Sequence, residues 1–138
     1  MDAKVTWKEN LSFDATANSG FIVPLGTSVE HGGNADGSSP MELVLMALGG
    51  CSAMDVVSIM KKKQQDVTAF EIKVHGDRVE AHPRVFNHIE MEYIVTGRNL
   101  DASAVNRAVE LSVTKFCSVY GMLSKVVDIQ HKVTILEP

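Results

Sequence analysis

The stretch SPMELVLMALGGCSAMDVVSIMKKK, residues 39–63, constrains the fold more than any other part of the chain. It carries a full set of helix signals. Ser39 can cap the N-terminus, Pro40 suits the first helical position, and Glu42 completes a Ser-x-x-Glu capping box. Lys61, Lys62 and Lys63 suit the negative end of the helix dipole. Yet the helix is apolar nearly all the way round, so it needs cover on all sides. A chain of 138 residues fits one domain, which typically spans ~100–200 residues. A domain of that size has little to spare for enclosing a whole helix. The simplest solution is a homodimer whose two subunits share the cover, with this helix at its centre.

A membrane span is the rival reading. Met41 to Met60 reaches the ~20 residues a spanning helix needs, but Glu42 and Asp55 interrupt it. The uncharged run, Leu43 to Met54, is only 12 residues long, and carboxylates deep in a bilayer are costly. A core helix and no membrane partner are therefore expected. The opening MDAKVTWKENLSFD has no continuous apolar run of the kind a secretory leader carries, which favours the cytoplasm. The net charge of −4 offers no general basic field for nucleic acid or anionic lipid.

Elsewhere the pattern alternates. Val5 and Trp7 alternate with Thr6 and Lys8, and Leu11, Phe13 and Ala15 with Ser12 and Asp14. FIVPL is a short strand that Pro24 keeps near a sheet edge. GTSVEHGGNADGSSP is a loop, long enough to be functional or mobile. Phe70, Ile72 and Val74 share one face of a strand, and Ile89, Met91, Tyr93 and Val95 share one face of the next, giving a hairpin with one wet face. A second helix runs from about Asp101, its cap, to about Phe116, with Val105, Ala108, Val109, Ser112 and Phe116 as its inner stripe. CSVYGML is a further short helical piece. A last strand puts Val127, Ile129, Val133 and Ile135 on one face, with His131 among them as a hydrogen-bonded core histidine. The order strands, helix, strands, helix, strand defines an α+β fold with mainly antiparallel pairing, in a single domain over residues 1–138.

Two cysteines, Cys51 and Cys117, stand 66 residues apart. No CxxC and no zinc-type spacing accompanies them, so no metal site is expected. In a reducing compartment they are free or redox-active rather than structural. One reading makes each a small buried hydrophobe. The other makes them a peroxide-reducing pair: a thiolate is oxidised to a sulfenic acid, and a second thiol condenses with it to a disulfide. Local physics makes Cys117 the more acidic thiol. It opens the short helical piece near Lys115, whereas Cys51 lies mid-helix with Asp55 one turn on. Asp55 is either a buried, perturbed carboxylate or a satisfied polar contact across the dimer. His31, in the long loop, is a solvated histidine or part of a lid.

SPMELVLMALGGCSAMDVVSIM followed by KFCSVYGML resembles the OsmC family of osmotically inducible and organic-hydroperoxide-resistance proteins, nearest its YhfA-like subgroup. The likeness extends over essentially the whole chain, RVFNHIEMEYIVTGRNL included. The resemblance implies an OsmC-like α+β fold in an intertwined homodimer, with two long central helices and a two-cysteine site at the interface. It implies Cys51 as the attacking thiol and Cys117 as the resolving thiol, with an organic hydroperoxide as substrate and a dithiol as reductant, and no cofactor. Two positions depart from the family pattern. No arginine precedes Arg78, leaving Lys8 as the substitute cation. The family's glutamate directly follows the helix-opening proline, where this chain has Met41, so Glu42 serves the site or only caps the helix. Alternatives on the same fold are a binding module for apolar small molecules or acyl chains, and a redox sensor.

Overall fold

Alternating strands and strongly signalled helices organise the chain into two compact units, Met1–Val44 and Leu45–Pro138, in a computed structural model that describes residues 1–138. In the N-terminal unit, β1 (Ala3–Glu9), β2 (Ser12–Ala17) and β3 (Ile22–Leu25) form an antiparallel sheet in the order β1-β2-β3. Pro24 therefore lies on an edge strand, where its missing N–H costs no ladder bond. All of β1 is exposed, Trp7 included. The loop after β3 is tied to its own sheet. Ser12 Oγ donates to the Asp36 carboxylate at 2.7–2.9 Å, Asn10 Nδ2 donates to Gly32 O at 2.7 Å, and Ser38 N donates to Pro24 O at 3.2 Å. Gly33 sits so close to the Thr27 carbonyl that no Cβ would fit.

Helix α1 (Pro40–Lys62) begins as the sequence predicts. Ser39 N donates to Glu42 Oε1 at 3.0 Å and Glu42 N donates to Ser39 Oγ at 3.2 Å, completing the capping box. Those bonds hold the Glu42 carboxyl below its ordinary value. Its folded pKa thus lies below its unfolded one. Its contribution is present above the ordinary glutamate range and is lost as pH falls through the lowered value.

In the C-terminal unit, β4 (Asp66–Arg78) and β5 (Phe86–Arg98) pair antiparallel, and β6 (Asp128–Leu136) joins the far side of β5 in parallel. A parallel neighbour requires a crossover of a dozen or more residues. Residues 99–127 supply it with α2 (Ala102–Leu111), a π-helical turn (Ser112–Phe116) and α3 (Ser118–Leu123). Asp101 caps α2, its side chain accepting from Ser103 N at 2.9 Å.

The core of this unit lies on one face of β5, where Ile89, Met91, Tyr93 and Val95 are buried, as their alternation predicts. Val105, Ala108, Val109 and Ser112 are buried on α2 and the π turn. Phe116 is not: the wider π turn carries it out of the expected stripe to 49 % exposure, with Lys115 Nζ 5.2 Å from its ring centre. On α1, Leu48, Ser52, Val56 and Met60 are buried together with Gly49. Steps of four make one narrow stripe. Gly49 admits close approach of Val74, whose Cγ2 would lie 3.1 Å from an added Cβ. Met46, Met54 and Val57 remain exposed. By length and composition α1 is also apolar enough to cross a bilayer. The need for cover inferred from its sequence therefore persists within one chain.

Ile89 has no exposed surface. Ile89→Ala is expected to cost about 2–5 kcal/mol, read as a lower urea midpoint at unchanged slope.

Candidate active site

Cys51 lies on the α1 turn between Gly50 and Ser52 and is half-buried, whereas Cys117 is buried. The π turn sets the position of Cys117. Its backbone N donates to Ser112 O at 2.9 Å, closing a five-residue step. The chain then leaves helical geometry at φ −73°, ψ 105°, and Cys117 caps α3. Its Sγ accepts from Tyr120 N at 3.3 Å. Cys117 thus opens the short helical piece, as its sequence position predicts.

The acidity expected from that position is reversed. Burial, the largest influence, pushes the Cys117 thiol up to about 11. The Tyr120 amide lowers it, but the neighbouring Cys51 and the charge of Asp55 raise it further. Removing a thiolate from water outweighs one amide from a helix of only six residues. Lys115 gives no help, being turned onto the Phe116 ring. The two cysteines, 66 residues apart in sequence, are thus near enough to influence each other's ionisation. Both are free.

Beside the thiols runs a chain of polar groups that joins three elements. Tyr93 OH from β5 lies 2.6 Å from Ser52 Oγ of α1, and Ser52 Oγ lies 2.8 Å from Ser112 Oγ of the π turn. Ser112 Oγ donates to Asp55 Oδ2 at 3.0 Å. Ser52, Ser112 and Tyr93 are fully buried, and Asp55 is half-buried. Burial raises the Tyr93 phenol to about 12, with the charges of Cys117, Tyr120 and Asp55 adding to it against the Ser52 hydrogen bond. Asp55 is therefore a hydrogen-bonded partner within its own chain.

The remaining candidates have other partners. Glu42 is engaged in its cap. Lys8 Nζ lies 3.5 Å from Asp14 Oδ1 in an exposed pair on the N-terminal sheet. His31 ends a 3₁₀ turn (Val29–His31), and its Nδ1 shares a 2.7 Å hydrogen bond with Ser28 Oγ. His131 is exposed rather than buried, and its ring meets Tyr93 edge-on with centroids 6.2 Å apart. Three of the four arginines of the C-terminal unit are occupied at the surface: Arg78 Nε donates to the Arg84 carbonyl, and Arg98 and Arg107 pair with Asp66 and Glu110. No cation is among the groups that shift Cys117.

Sequence reasoning did not single out Ser52, Ser112 and Tyr93 as a network. The available signal was three hydroxyls on inward faces, each obliged to find a partner once buried.

Fold and site together define an α+β protein whose two cysteines lie near each other beside a buried hydroxyl network. Residues 32–132 match the family model described as OsmC-like protein, and the chain belongs to that family. It is 47 % identical to protein YhfA of Escherichia coli K12 over 137 residues, spanning 99 % of this chain and 98 % of that one. A hypothetical protein from Aquifex aeolicus superimposes with a TM-score of 0.88 at 29 % identity, covering 99 % of this chain and 96 % of the other. An organic hydroperoxide resistance protein OsmC from Legionella pneumophila shares the fold, with a TM-score of 0.67 at 16 % identity over 96 % of this chain and 95 % of that one.

At pH 8 a thiol with a pKa of about 11 is almost wholly protonated. Iodoacetamide should therefore modify Cys117 more than about 100-fold more slowly than an ordinary cysteine. Peptide mapping by mass spectrometry checks this, with equal labelling of both cysteines after denaturation.

Proposed function

We propose that the chain is a thiol-dependent reductase of organic hydroperoxides, acting as a cytoplasmic homodimer through Cys51 and Cys117. The observation that carries this reading is the nearness of the two thiols: Cys51 is among the groups that perturb Cys117, and Ser52, next to Cys51, is bonded to Ser112 of the turn that ends at Cys117. Cys51 is the more accessible of the pair, and it attacks. Its thiolate takes the distal oxygen of the hydroperoxide, the O–O bond breaks, and the alkoxide leaves with a proton as the alcohol. Cys51 is then a sulfenic acid. Cys117 attacks that sulfur, the S–O bond breaks, and the Cys117 proton leaves with the hydroxyl as water. A dithiol reductant returns both cysteines to thiols by two exchanges and is itself oxidised to a disulfide. The Legionella neighbour is named for organic hydroperoxide resistance. It supplies a precedent for the fold, and the thiol pair supplies the chemistry.

The exposed Met46, Met54 and Val57 of α1 support the homodimer, because they need an apolar partner and a second copy provides the same surface. Sedimentation at micromolar concentration should give twice the chain mass. A compact monomer there would refute the dimer.

A second reading rests on a groove of about 430 Å³ between α1 and β4, lined by Leu45, Met46, Gly49, Gly50, Ala53, Ile72 and Val74. An acyl chain or similar apolar molecule would suit it. Binding without turnover would follow from the lack of a cation beside the thiols.

Consumption of cumene hydroperoxide with dithiothreitol or dihydrolipoamide separates the readings. Turnover is expected in the wild type, and Cys51→Ser should fall to the uncatalysed background. Cys117→Ser should form a dimedone-reactive sulfenic acid and then stall when the reductant is dihydrolipoamide at low concentration. An unchanged rate in Cys51→Ser would rule the mechanism out. A single slow oxidation without turnover would mark a sensor.

A further inference from the structure

The hydroxyl chain beside the cysteines has a fixed direction. Ser112 has one hydroxyl proton, and it is donated to Asp55 Oδ2. In its 2.8 Å bond with Ser52, Ser112 must therefore accept. Ser52 has then used its own proton and must accept from Tyr93 in their 2.6 Å bond. Along these bonds every O–H points towards Asp55, and Tyr93 OH lies a longer 4.0 Å from Met91 Sδ. The chain is ordered from its Asp55 end, and no buried polar side-chain atom is left without a partner.

Ser112 also holds Cys117 by its main chain. Its carbonyl accepts from Cys117 N at 2.9 Å, closing the π turn. Its hydroxyl meanwhile bonds Ser52 and Asp55, which flank Cys51 on α1 at the next position and one turn on. One residue thus joins the backbone of the second cysteine to the helical turn that carries the first. A π turn is a local departure from the α-helical ladder and is found preferentially at functional sites. Here the departure is fastened at its first residue.

We propose that Ser112 and Asp55 are positioning residues of the dithiol pair, a side-chain clamp that holds the π turn against α1 and so keeps Cys117 facing Cys51. The clamp deepens the dithiol reading given above and rests on it for its purpose. Its physical effect is on effective concentration: two thiols held in register form a disulfide more readily than two thiols on elements free to shift.

The test reads the disulfide equilibrium itself, with no hydroperoxide present. Full-length protein is equilibrated with glutathione and glutathione disulfide at pH 7, trapped with acid and alkylated, and the Cys51–Cys117 disulfide is quantified by mass spectrometry. Each turn of the reaction converts two protein thiols and one glutathione disulfide into one protein disulfide and two glutathiones. Ser112→Ala and Asp55→Ala are expected to lower the equilibrium constant about tenfold, equivalent to about 30 mV for a two-electron couple. Asp55→Asn keeps an oxygen to accept from Ser112 and should stay within about twofold of the wild type. Burial is the largest influence on Cys117 and Asp55 the smallest, so Cys117 remains a thiol at pH 7 in each variant. Tyr93→Phe removes a buried hydroxyl from the far end of the chain but leaves the clamp in place. It should also stay within about twofold, although it lowers the melting temperature. If Ser112→Ala does not fold, the Asp55→Ala and Asp55→Asn pair carries the test on a half-buried side chain. The proposal is overturned if Asp55→Ala matches the wild type. It is equally overturned if Tyr93→Phe falls as far as the clamp variants, or if the wild type forms no disulfide at any glutathione ratio. A chain that fails to reduce cumene hydroperoxide but shows the expected shifts would retain the clamp and lose the peroxidase reading.

Discussion

Ser52, Ser112 and Tyr93 have no access to water, and the C-terminal unit is organised around their mutual hydrogen bonds. A buried hydroxyl left unpaired costs about 1–3 kcal/mol, a large share of the ~5–15 kcal/mol that keeps a domain folded. Each of the three finds its partner only if α1, β5 and the π turn meet at one depth and one rotation. Apolar packing alone tolerates small slips between elements, because many arrangements bury similar area. The hydroxyl chain penalises those slips. It therefore turns a generic helix-on-sheet core into one in which residues 51 and 117 are brought together.

Much of the fold was legible because its signals are local. Capping at Ser39 and Glu42, the cap at Asp101 and the two-residue alternation of β4 and β5 each depend on a few neighbouring residues. Two features were not legible. A strand alternates in the same way whether its neighbour runs parallel or antiparallel, so the parallel seating of β6 on β5 leaves no trace in its pattern. The π turn likewise hides inside an apparently continuous helical stripe. Val105, Ala108, Val109 and Ser112 keep the expected face, and only Phe116, one wide turn later, leaves it.

The site shows the same division. Its cysteines could be named from sequence, and their nearness is a product of tertiary structure. The charge environment was misjudged because acidity was argued from the nearest sequence neighbours. Lys115 precedes Cys117 by two residues and an amide donates to the sulfur, yet the lysine turns to Phe116 and burial dominates. Asp55 was visible as a carboxylate one turn from Cys51. Its partner, Ser112, lies 57 residues away, and no helical spacing rule connects them.

The protonated state of Cys117 is compatible with a resolving role, and the magnitudes show why. With a pKa of about 11, the thiolate fraction at pH 7 is on the order of 10⁻⁴, which would make a dissolved thiol of that kind a poor nucleophile. Intramolecular partners in good register reach effective molarities of about 10⁵–10⁸ M. The product of the two still exceeds the millimolar concentrations at which competing cellular thiols occur, by several orders of magnitude. Register thus matters more than acidity for the second step. The first step of the proposed reaction has no such help, because a hydroperoxide would arrive from solution. It would rely on the exposure of Cys51, the half-buried one of the two thiols. Under the proposed reaction, two requirements fall to two positions: access on a helix surface for Cys51, which is half-buried, and placement at the end of the π turn for Cys117, which is buried.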